Sequence, residues 1–596
     1  MTARKAKAKA TVAQKVDPYW LWGNASNFVD HNLRSDGRYA VLIECLGADE
    51  LSSLAKRLGR EGQINEAYLS PDLRYCTAVV SRKGYAFLLN DSAVSRVEFA
   101  QSHVCGRARS KRRTRAYVSS GAASAPSSAT TLLAVIDDGC PFAHRKLLSP
   151  NSGRGTRVRT IWDQNSAADF DGISSTPKDF GYGAEVDRGA LNACIANATS
   201  SGRTDEDCCY RIAGYTAVRR VKSHGAHSIG IALRAAGNEP ACADTDILFV
   251  QLPRDILDVP SNAAMCRHIL DGIQWVLARR RKRETSVVVS IGYVTPLGSH
   301  DGASIFEKAV DALIERSAKK GINLTVVLAA GNDYEARQHA YVPEIRAGES
   351  VELTIGLMPS GELSTFVELW LPSSAAHATI SLTPPNAPTA VVDVQAGQLS
   401  AWPAHQNAQC AVVFSDWQGA DGARLALVRF APTHSVGAAV AVAAVGTWTL
   451  SIRASSTPVT AFHAWISRAH GSIGTLLRGH QAKFSGVQVE QTCTLSGMAC
   501  GLGVTVVGAY RAWDRTPAKY TASGPSRSKV RTGPDFSAPG DESITQFGIR
   551  SIGNRSGESF RMRGTSVATP YVAGCSMITA PAGSPGTDPR LGTMLP

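Results

Sequence analysis

Four short segments carry the side chains best suited to acid–base and nucleophilic chemistry. They are Val135-Ile136-Asp137-Asp138-Gly139, Ser223-His224-Gly225-Ala226-His227, Ala329-Ala330-Gly331-Asn332 and Gly564-Thr565-Ser566-Val567-Ala568-Thr569-Pro570. A serine hydroxyl is a poor nucleophile at neutral pH, so it needs a histidine base, and a carboxylate that orients the base. Taken singly, an Asp at a strand end or a His at a helix start is more often structural. The four segments together indicate nucleophilic catalysis.

The order of these segments resembles one protein family. Asp, then His, then Ser is the chain order of the catalytic residues in subtilisin. The sequence is therefore similar to the subtilisin-like serine proteases, the subtilase or peptidase S8 family, over roughly residues 132–332 and 492–591. Further matching segments are Gly272-Ile273-Gln274-Trp275, Val287-Val288-Val289-Ser290-Ile291-Gly292, Val504 to Tyr510, Ser523-Gly524-Pro525 and Pro534 to Gly540. The resemblance implies a hydrolase, a serine endopeptidase that acts on protein or peptide substrates.

The resemblance also implies a role for each site residue. Ser566 is expected to attack the scissile carbonyl, His224 to take and return the proton, and Asp137 to orient His224 as the third member of the catalytic triad. Asn332 is expected to donate its side-chain amide to the oxyanion, together with the backbone N–H of Ser566. The expected substrate-binding residues are Ser290, Ile291, Gly292, Ala330 and Gly331.

No metal and no cofactor are expected. Many family members carry His-Pro-Asp-Leu with a calcium-binding Asp, whereas this chain has His144-Arg145-Lys146-Leu147, which places a cation there. The short connection over 237–246 also leaves little room for the usual calcium loop. His227 follows His224 at a spacing that could bind zinc, but no third ligand cluster is evident, and a structural role is favoured.

The hydrophobic pattern predicts an α/β fold of several units. Apolar runs at 132–136, 246–252, 286–291 and 324–328 alternate with helical patterns, which is typical of a doubly wound parallel sheet. From about residue 341, short strand-like runs separated by Pro, Gly and Asn indicate an inserted β-sandwich or jelly roll, as in some bacterial subtilases. The predicted units are a disordered basic tail (1–20), an α+β domain with a basic linker (21–118), a first catalytic part (119–340), the insert (341–487) and a second catalytic part (488–596).

The α+β unit before residue 119 resembles a subtilase propeptide. The resemblance implies a zymogen in which this unit assists folding and blocks the cleft as an intramolecular inhibitor until it is cut. The basic tract 106–115 or the Ser/Ala-rich linker 119–131 is the expected processing region. The alternative interpretation is a permanent N-terminal domain.

The composition of the chain indicates which partners and which cellular location to expect. The formal charge of +13 sits in short basic runs without a zinc-finger spacing or an aromatic-interleaved stripe, so no nucleic-acid partner is expected, although a basic nucleic-acid-binding scaffold is one alternative. No apolar stretch approaches the ~20 residues of a membrane span. The N-terminus shows no secretory signal, and thirteen cysteines lack a repeated spacing. A cytoplasmic protein with reduced thiols is expected, with export by a non-classical route left open.

A second alternative concerns activity itself. A subtilase fold can persist as a catalytically silent regulatory or binding protein that acts through its insert. Such relatives commonly lose a catalytic residue, whereas Asp137, His224, Ser566 and Asn332 are all present here. The sequence therefore favours an active protease.

Overall fold

The structure is a computed structural model with an N-terminal α+β unit, a central α/β unit and a β-rich insert. It describes residues 16–24, 38–70, 72–100, 130–149, 155–165, 169–170, 172–237, 242, 245–258, 262–385, 387, 389–403, 408–434, 441–468, 480–579 and 581–596. The predicted processing tract 106–115 and most of the linker 119–131 lie outside these residues.

The N-terminal unit is a four-stranded antiparallel sheet with three helices. Its elements are α1 (Pro18–Asn24), β1 (Tyr39–Cys45), α2 (Ala48–Leu58), β2 (Gly62–Ile64), β3 (Tyr75–Val80), α3 (Arg82–Asn90) and β4 (Val94–Phe99), with 3₁₀ turns at Gly59–Glu61 and Glu66–Tyr68. The strand order is β2-β3-β1-β4. Leu51, Leu54 and Leu58 recur at helical spacing in α2, and all three are buried.

The start of this unit corrects one prediction. A disordered basic tail is predicted for residues 1–20, but the Asp17 carboxylate is buried and accepts hydrogen bonds from the backbone N–H groups of Tyr19 (2.8 Å) and Phe99 (2.9 Å). The Tyr19 ring packs 5.7 Å from Phe366 of the insert. Aromatic residues after the Lys/Ala run supply apolar area that the run lacks, so ordered chain begins before residue 20. Residues 1–15 lie outside the described chain.

The first part of the α/β unit alternates strands with helices. Its elements are β5 (Thr131–Asp137), β6 (Val158–Asp163), β7 (Ala184–Asp187), α4 (Arg188–Asn197), β8 (Thr199–Ser200), β9 (Arg203–Thr204), α5 (Glu206–Ile212), α6 (His224–Ala235), β10 (Ile247–Gln251), α7 (Arg254–Asp258), α8 (Asn262–Arg279), β11 (Ser286–Ile291), α9 (Ile305–Lys319) and β12 (Asn323–Ala329), with a 3₁₀ turn at Arg145–Leu147. The near-continuous apolar runs of β5, β10 and β11 are buried, as expected for strands covered on both faces.

The insert consists of two antiparallel sheets. Its strands are β13 (His339–Ile345), β14 (Ser350–Leu357), β15 (Thr365–Leu371), β16 (Thr379–Thr383), β17 (Val392–Val394), β18 (Gln398–Trp402), β19 (Cys410–Gln418), β20 (Arg424–Phe430), β21 (Gly446–Arg453), β22 (Val459–Ile466) and β23 (Lys483–Ser485), with a 3₁₀ turn at Ser373–His377. The orders are β13-β22-β15-β20-β19-β18 and β17-β16-β21-β14-β23. Both sheets contribute to one apolar core around Trp448, Ile355 and Val428. The jelly-roll topology stays a prediction.

The chain then completes the central sheet. The last elements are β24 (Thr505–Arg511), β25 (Phe536–Asp541), β26 (Ile549–Ile552), β27 (Ser559–Met562), α10 (Thr565–Ser576), β28 (Ser584–Pro585) and β29 (Thr593–Met594). The ten-stranded order is β28-β29-β25-β24-β12-β11-β5-β10-β6-β7, with parallel pairing from β29 through to β6. The predicted α/β fold with a parallel sheet is therefore confirmed. No described helix is long and apolar enough to cross a membrane.

Helices α6 and α10 pack against each other at backbone distance. A side-chain carbon at Gly574 of α10 would lie 2.2 Å from the Ala232 carbonyl oxygen and 2.8 Å from the Cβ of Ala235, both in α6. A side-chain carbon at Gly225 of α6 would likewise lie 2.2 Å from the Gly139 carbonyl oxygen, just after β5. Glycine at these positions lets α10, α6 and the end of β5 converge.

Gly574→Ala is expected to destabilise the protein by about 1–3 kcal/mol, because the added methyl group must push the two helices apart. Thermal unfolding of both proteins measures the loss as a lower midpoint. Gly356→Ala is the matched control, since its nearest neighbour would be 3.9 Å away. A Gly574→Ala midpoint no lower than that of the control would contradict this account of the packing.

Candidate active site

The predicted catalytic residues gather at the carboxyl edge of the parallel sheet. Asp137 is the last residue of β5, and His224 is the first residue of α6. Ser566 is the second residue of α10, and Asn332 follows β12. Loops at the carboxyl ends of parallel strands are where α/β folds place ligand-binding groups. Segments that are hundreds of residues apart in sequence thus meet at one point.

Asp137 and His224 form a buried hydrogen-bonded pair. The Nδ1 atom of His224 lies 2.8 Å from each carboxylate oxygen of Asp137, and both side chains are almost inaccessible to solvent. The Ser228 hydroxyl and the Asp138 backbone N–H also donate to this carboxylate, at 3.0 and 2.8 Å. A carboxylate so placed holds the proton of the imidazole on Nδ1 and leaves Nε2 as an acceptor.

Ser566 and the other nitrogen of the imidazole both lie close to Gly292. A side-chain carbon at Gly292 would lie 3.3 Å from Ser566 Cβ and 3.5 Å from His224 Nε2. No hydrogen bond joins Ser566 to His224 within the described residues, and such bonds are often long in unliganded sites and tighten with substrate. The absence of a side chain at Gly292 therefore keeps open the space between nucleophile and base.

Asn332 is oriented by the residue that precedes Ser566. Its side-chain oxygen accepts hydrogen bonds from the Thr565 backbone N–H (2.9 Å) and hydroxyl (3.1 Å). The amide nitrogen therefore points the other way, and a carbon placed on Gly564 would lie 3.4 Å from that nitrogen and 3.1 Å from Ser566 Oγ. Gly564 has a φ of 146°, a conformation that favours glycine. The geometry brings an amide donor beside the serine hydroxyl.

Two neighbouring carboxylates set the electrostatics of His224. Burial lowers the pKa of His224, but the charge and hydrogen bond of Asp137, with the charge of Asp138, raise the pKa above its ordinary value overall. Burial and the negative charge of Asp137 raise the pKa of Asp138 to about 6. The Asp138 carboxylate accepts from the backbone N–H groups of His224 (3.2 Å) and Gly225 (2.8 Å) at the start of α6. Asp138 thus fixes the helix end that carries His224.

The predicted substrate-binding residues fall into two groups. The side chains of Ser290, Ile291 and Ala330 are buried, so they cannot line an open pocket. Gly292 and Gly331 lie at the site itself, and Gly331 has a φ of 114°. Any contact of this set with a substrate would be made by the backbone of the strand ends.

Three further residues at the site were not predicted. Ser228 is four residues after His224 in α6, a spacing that puts both side chains on one helix face and that could have indicated it. Thr565 orients Asn332, as described above. The Tyr293 ring lies 4.9 Å from the His224 ring, centroid to centroid. No sequence signal distinguishes Tyr293, because its role depends on the path of the loop after β11.

His227 has a structural environment. Its Nε2 lies 2.8 Å from the Ile549 carbonyl oxygen, and its ring packs 5.1 Å from Phe560. Burial lowers the pKa of His227 to about 4. Within the described chain it is not part of a group of metal ligands. His144 accepts a hydrogen bond at Nδ1 from the Lys146 backbone, inside a 3₁₀ turn.

Comparisons with known proteins concern the family and the fold. The model described as the subtilase family matches residues 435–580, which include Ser566 but not Asp137, His224 or Asn332. The CspB protease of Clostridium perfringens matches with a TM-score of 0.54, at 18% sequence identity, over 76% of this chain and 82% of that chain. At this identity the likeness shows a shared fold.

Two other comparisons add nothing to the argument. The propeptide form of the Bacillus licheniformis lipase BlEst2 matches with a TM-score of 0.15 at 9% identity, over 57% of this chain and 76% of that chain. A comparison with curated proteins gave no match. The matched segment and the shared fold confirm the resemblance that the motifs carry: residues 435–580 match the subtilase family, and the chain shares the fold of a Clostridium protease.

Proposed function

We propose that the protein is a serine endopeptidase that hydrolyses peptide bonds through an acyl-enzyme on Ser566. The observation that carries this proposal is the placement of the His224 ring. One nitrogen of that ring lies 2.8 Å from the Asp137 carboxylate, and the other lies, like Ser566 Cβ, within 3.5 Å of the position that a Gly292 side chain would occupy. The alternative of a catalytically silent regulatory protein has no comparable support, because the arrangement has the parts that acyl transfer needs.

The first half of the reaction forms the acyl-enzyme. His224 Nε2 takes the proton of the Ser566 hydroxyl as the oxygen attacks the substrate carbonyl. Asp137 stabilises the imidazolium that forms and stays ionised. The imidazolium then gives its proton to the leaving amine. In the second half, water attacks the acyl carbonyl, His224 takes the proton of the water and returns it to the Ser566 oxygen, and the acid is released.

Asn332 would stabilise the negative charge that develops on the substrate oxygen. Its amide nitrogen and the Ser566 backbone N–H are the two expected donors, and the bonds from Thr565 fix the amide orientation in advance. Losing the corresponding asparagine of subtilisin itself lowers kcat by about 10²–10³-fold. Preorganised donors of this kind act without reorganisation during the reaction.

The N-terminal unit would serve as an intramolecular inhibitor. It docks on helices α8 and α9 of the catalytic unit: the buried Asp271 carboxylate of α8 accepts from Tyr68 (2.9 Å), Thr77 (2.6 Å) and Asn65 (3.3 Å). Glu98 accepts from the Ile305 backbone N–H at the start of α9, at 3.2 Å. A buried carboxylate that loses its hydrogen-bond donors costs free energy, so these bonds stabilise the state in which the N-terminal unit is docked.

The first prediction concerns peptide hydrolysis. Ser566→Ala is expected to lower kcat on a peptide substrate by about 10⁶-fold, the loss found for subtilisin itself. Ser576→Ala is the matched control, because Ser576 lies in the same helix and its hydroxyl bonds only to the Val572 carbonyl oxygen. Equal turnover in wild type and Ser566→Ala would contradict the proposal. If neither the wild type nor Ser566→Ala turns over the peptide, whether or not the chain has been cut after the N-terminal unit, the result would favour the catalytically silent alternative.

The second prediction concerns pH. Only neutral His224 accepts the serine proton, so kcat/KM should fall as the pH drops through the pKa of His224, with its midpoint above the ordinary value of about 6.5. This fall is the acid limb of the pH profile. Asp138→Asn should move the acid limb to lower pH, because the substitution removes a negative charge that favours the imidazolium. His227, with its pKa lowered to about 4, stays neutral over this range. An unchanged limb in Asp138→Asn would contradict the electrostatic assignment.

The third prediction concerns inhibition. Tyr68→Phe removes one donor from buried Asp271, which should weaken docking by about 1–3 kcal/mol and raise the activity of the full-length chain. Tyr75→Phe is the control in the same sheet, because the Tyr75 hydroxyl bonds to Arg74 and not across the interface. The initial rate of peptide cleavage measures the effect. A rate no higher than that of the control would indicate a permanent domain without an inhibitory role.

A further inference from the structure

A cluster of metal-ligand side chains, none of them part of the active site described above, lies where the insert joins the catalytic unit. His339 is the first residue of β13, His463 lies in β22, and Cys493 follows the insert as the chain returns. One ligand atom from each side chain lies within 4.8 Å of the others. It is the one group of three or more His, Cys, Asp or Glu ligands of this kind among the residues that the structure describes.

Hydrogen bonds orient both imidazoles toward each other. His339 Nδ1 lies 3.3 Å from the Glu490 carbonyl oxygen, which holds the proton on Nδ1 and leaves Nε2 as an acceptor. That Nε2 lies 2.9 Å from His463 Nδ1. Metal-binding histidines typically donate their other ring N–H to a carbonyl or carboxylate in this way. The Glu490 contact is therefore the supporting interaction that a metal ligand needs.

The surroundings of the cluster are rigid. The Trp465 ring stacks on His339 (4.9 Å), His463 (5.3 Å) and His300 (3.9 Å), with interplanar angles of 17°, 9° and 8°. The Trp465 indole N–H donates to the Cys493 carbonyl oxygen at 3.2 Å. Cys493 itself has a φ of 56°, which is uncommon for a residue with a side chain and is found where surrounding structure enforces it.

Metal binding would move two protons. A metal ion binds the thiolate, so the thiol proton of Cys493 would be released to solvent, and the His463 proton would shift from Nδ1 to Nε2.

We propose that His339 Nε2, His463 Nδ1 and Cys493 Sγ bind one divalent transition-metal ion of the zinc class, with a water as the fourth ligand. Imidazole and thiolate together suit zinc rather than calcium or magnesium. Metal–nitrogen and metal–sulfur distances of about 2.0 and 2.3 Å place tetrahedral ligand atoms about 3.3–3.6 Å apart. The two imidazole nitrogens, 2.9 Å apart, would therefore separate slightly, while ligand atoms up to 4.8 Å apart would move closer together.

Such an ion would fasten the insert to the catalytic unit. His339 and His463 belong to two paired strands of the insert, β13 and β22, whereas Cys493 follows the insert as the chain returns to the catalytic unit. A metal that binds the folded chain and not the unfolded one stabilises it by mass action. The proposal does not depend on the protease reaction, since none of its ligands belongs to the active site.

Cobalt provides the direct test in the full-length, reduced protein. Titration with Co²⁺ is expected to give a thiolate-to-cobalt charge-transfer band that saturates at one ion per chain and disappears when Zn²⁺ is added. Cys493→Ser should lose the band. Cys500→Ser, which replaces another buried cysteine seven residues later in the chain, should keep it. Absence of the band in wild type, or an unchanged band in Cys493→Ser, would overturn the proposal.

A second measurement needs no variant. X-ray absorption of the zinc-loaded wild type is expected to show one sulfur at about 2.3 Å and two imidazole nitrogens at about 2.0–2.1 Å from the metal. A zinc shell with no sulfur would overturn the proposal even if Cys493→Ser fails to fold. His339→Gln should weaken zinc binding by more than the ~10–100-fold that outer partners contribute.

Discussion

The close packing of α6 against α10 is the constraint on which the active site depends. His224 begins one helix and Ser566 lies in the first turn of the other, so the angle and spacing of the two helices set the distance between the proposed base and the proposed nucleophile. Gly574 allows the helices to approach at backbone distance. Gly225 similarly lets α6 approach the chain after β5, which carries Asp137. Backbone contacts between these elements therefore restrict the relative positions of the candidate catalytic side chains.

The charges and hydrogen bonds of Asp137 and Asp138 position the imidazole further. Asp137 accepts hydrogen bonds from the imidazole, the Ser228 hydroxyl and the Asp138 backbone, so a buried charge is fully bonded. The second carboxylate, Asp138, bonds to the first N–H groups of α6 and adds negative potential beside the imidazole. The N-terminal unit attaches through Asp271. The insert attaches around Trp465 and through Arg468, whose guanidinium donates to Asp333, the residue after Asn332.

The sequence predicts much of this arrangement because its strongest signals are local. Strand ends and helix starts carry Asp137, His224 and Ser566, and buried apolar runs mark the parallel strands. Residues whose roles depend on tertiary contacts were missed. Tyr19 docks on the insert through Phe366, and Tyr293 lies against His224, yet neither has a distinctive local pattern. His300 and His339, which stack on Trp465, likewise lie more than a hundred residues before it in sequence.

Peptide mapping after reaction with a fluorophosphonate tests the central claim most directly, because it identifies the residue that acts as the nucleophile. The account predicts a single phosphonylated serine, Ser566, in the wild-type chain, and much slower modification of the same residue in Asp137→Asn. Modification of a different residue, or modification of Ser566 at an equal rate in Asp137→Asn, would contradict a nucleophile activated by the Asp137–His224 pair.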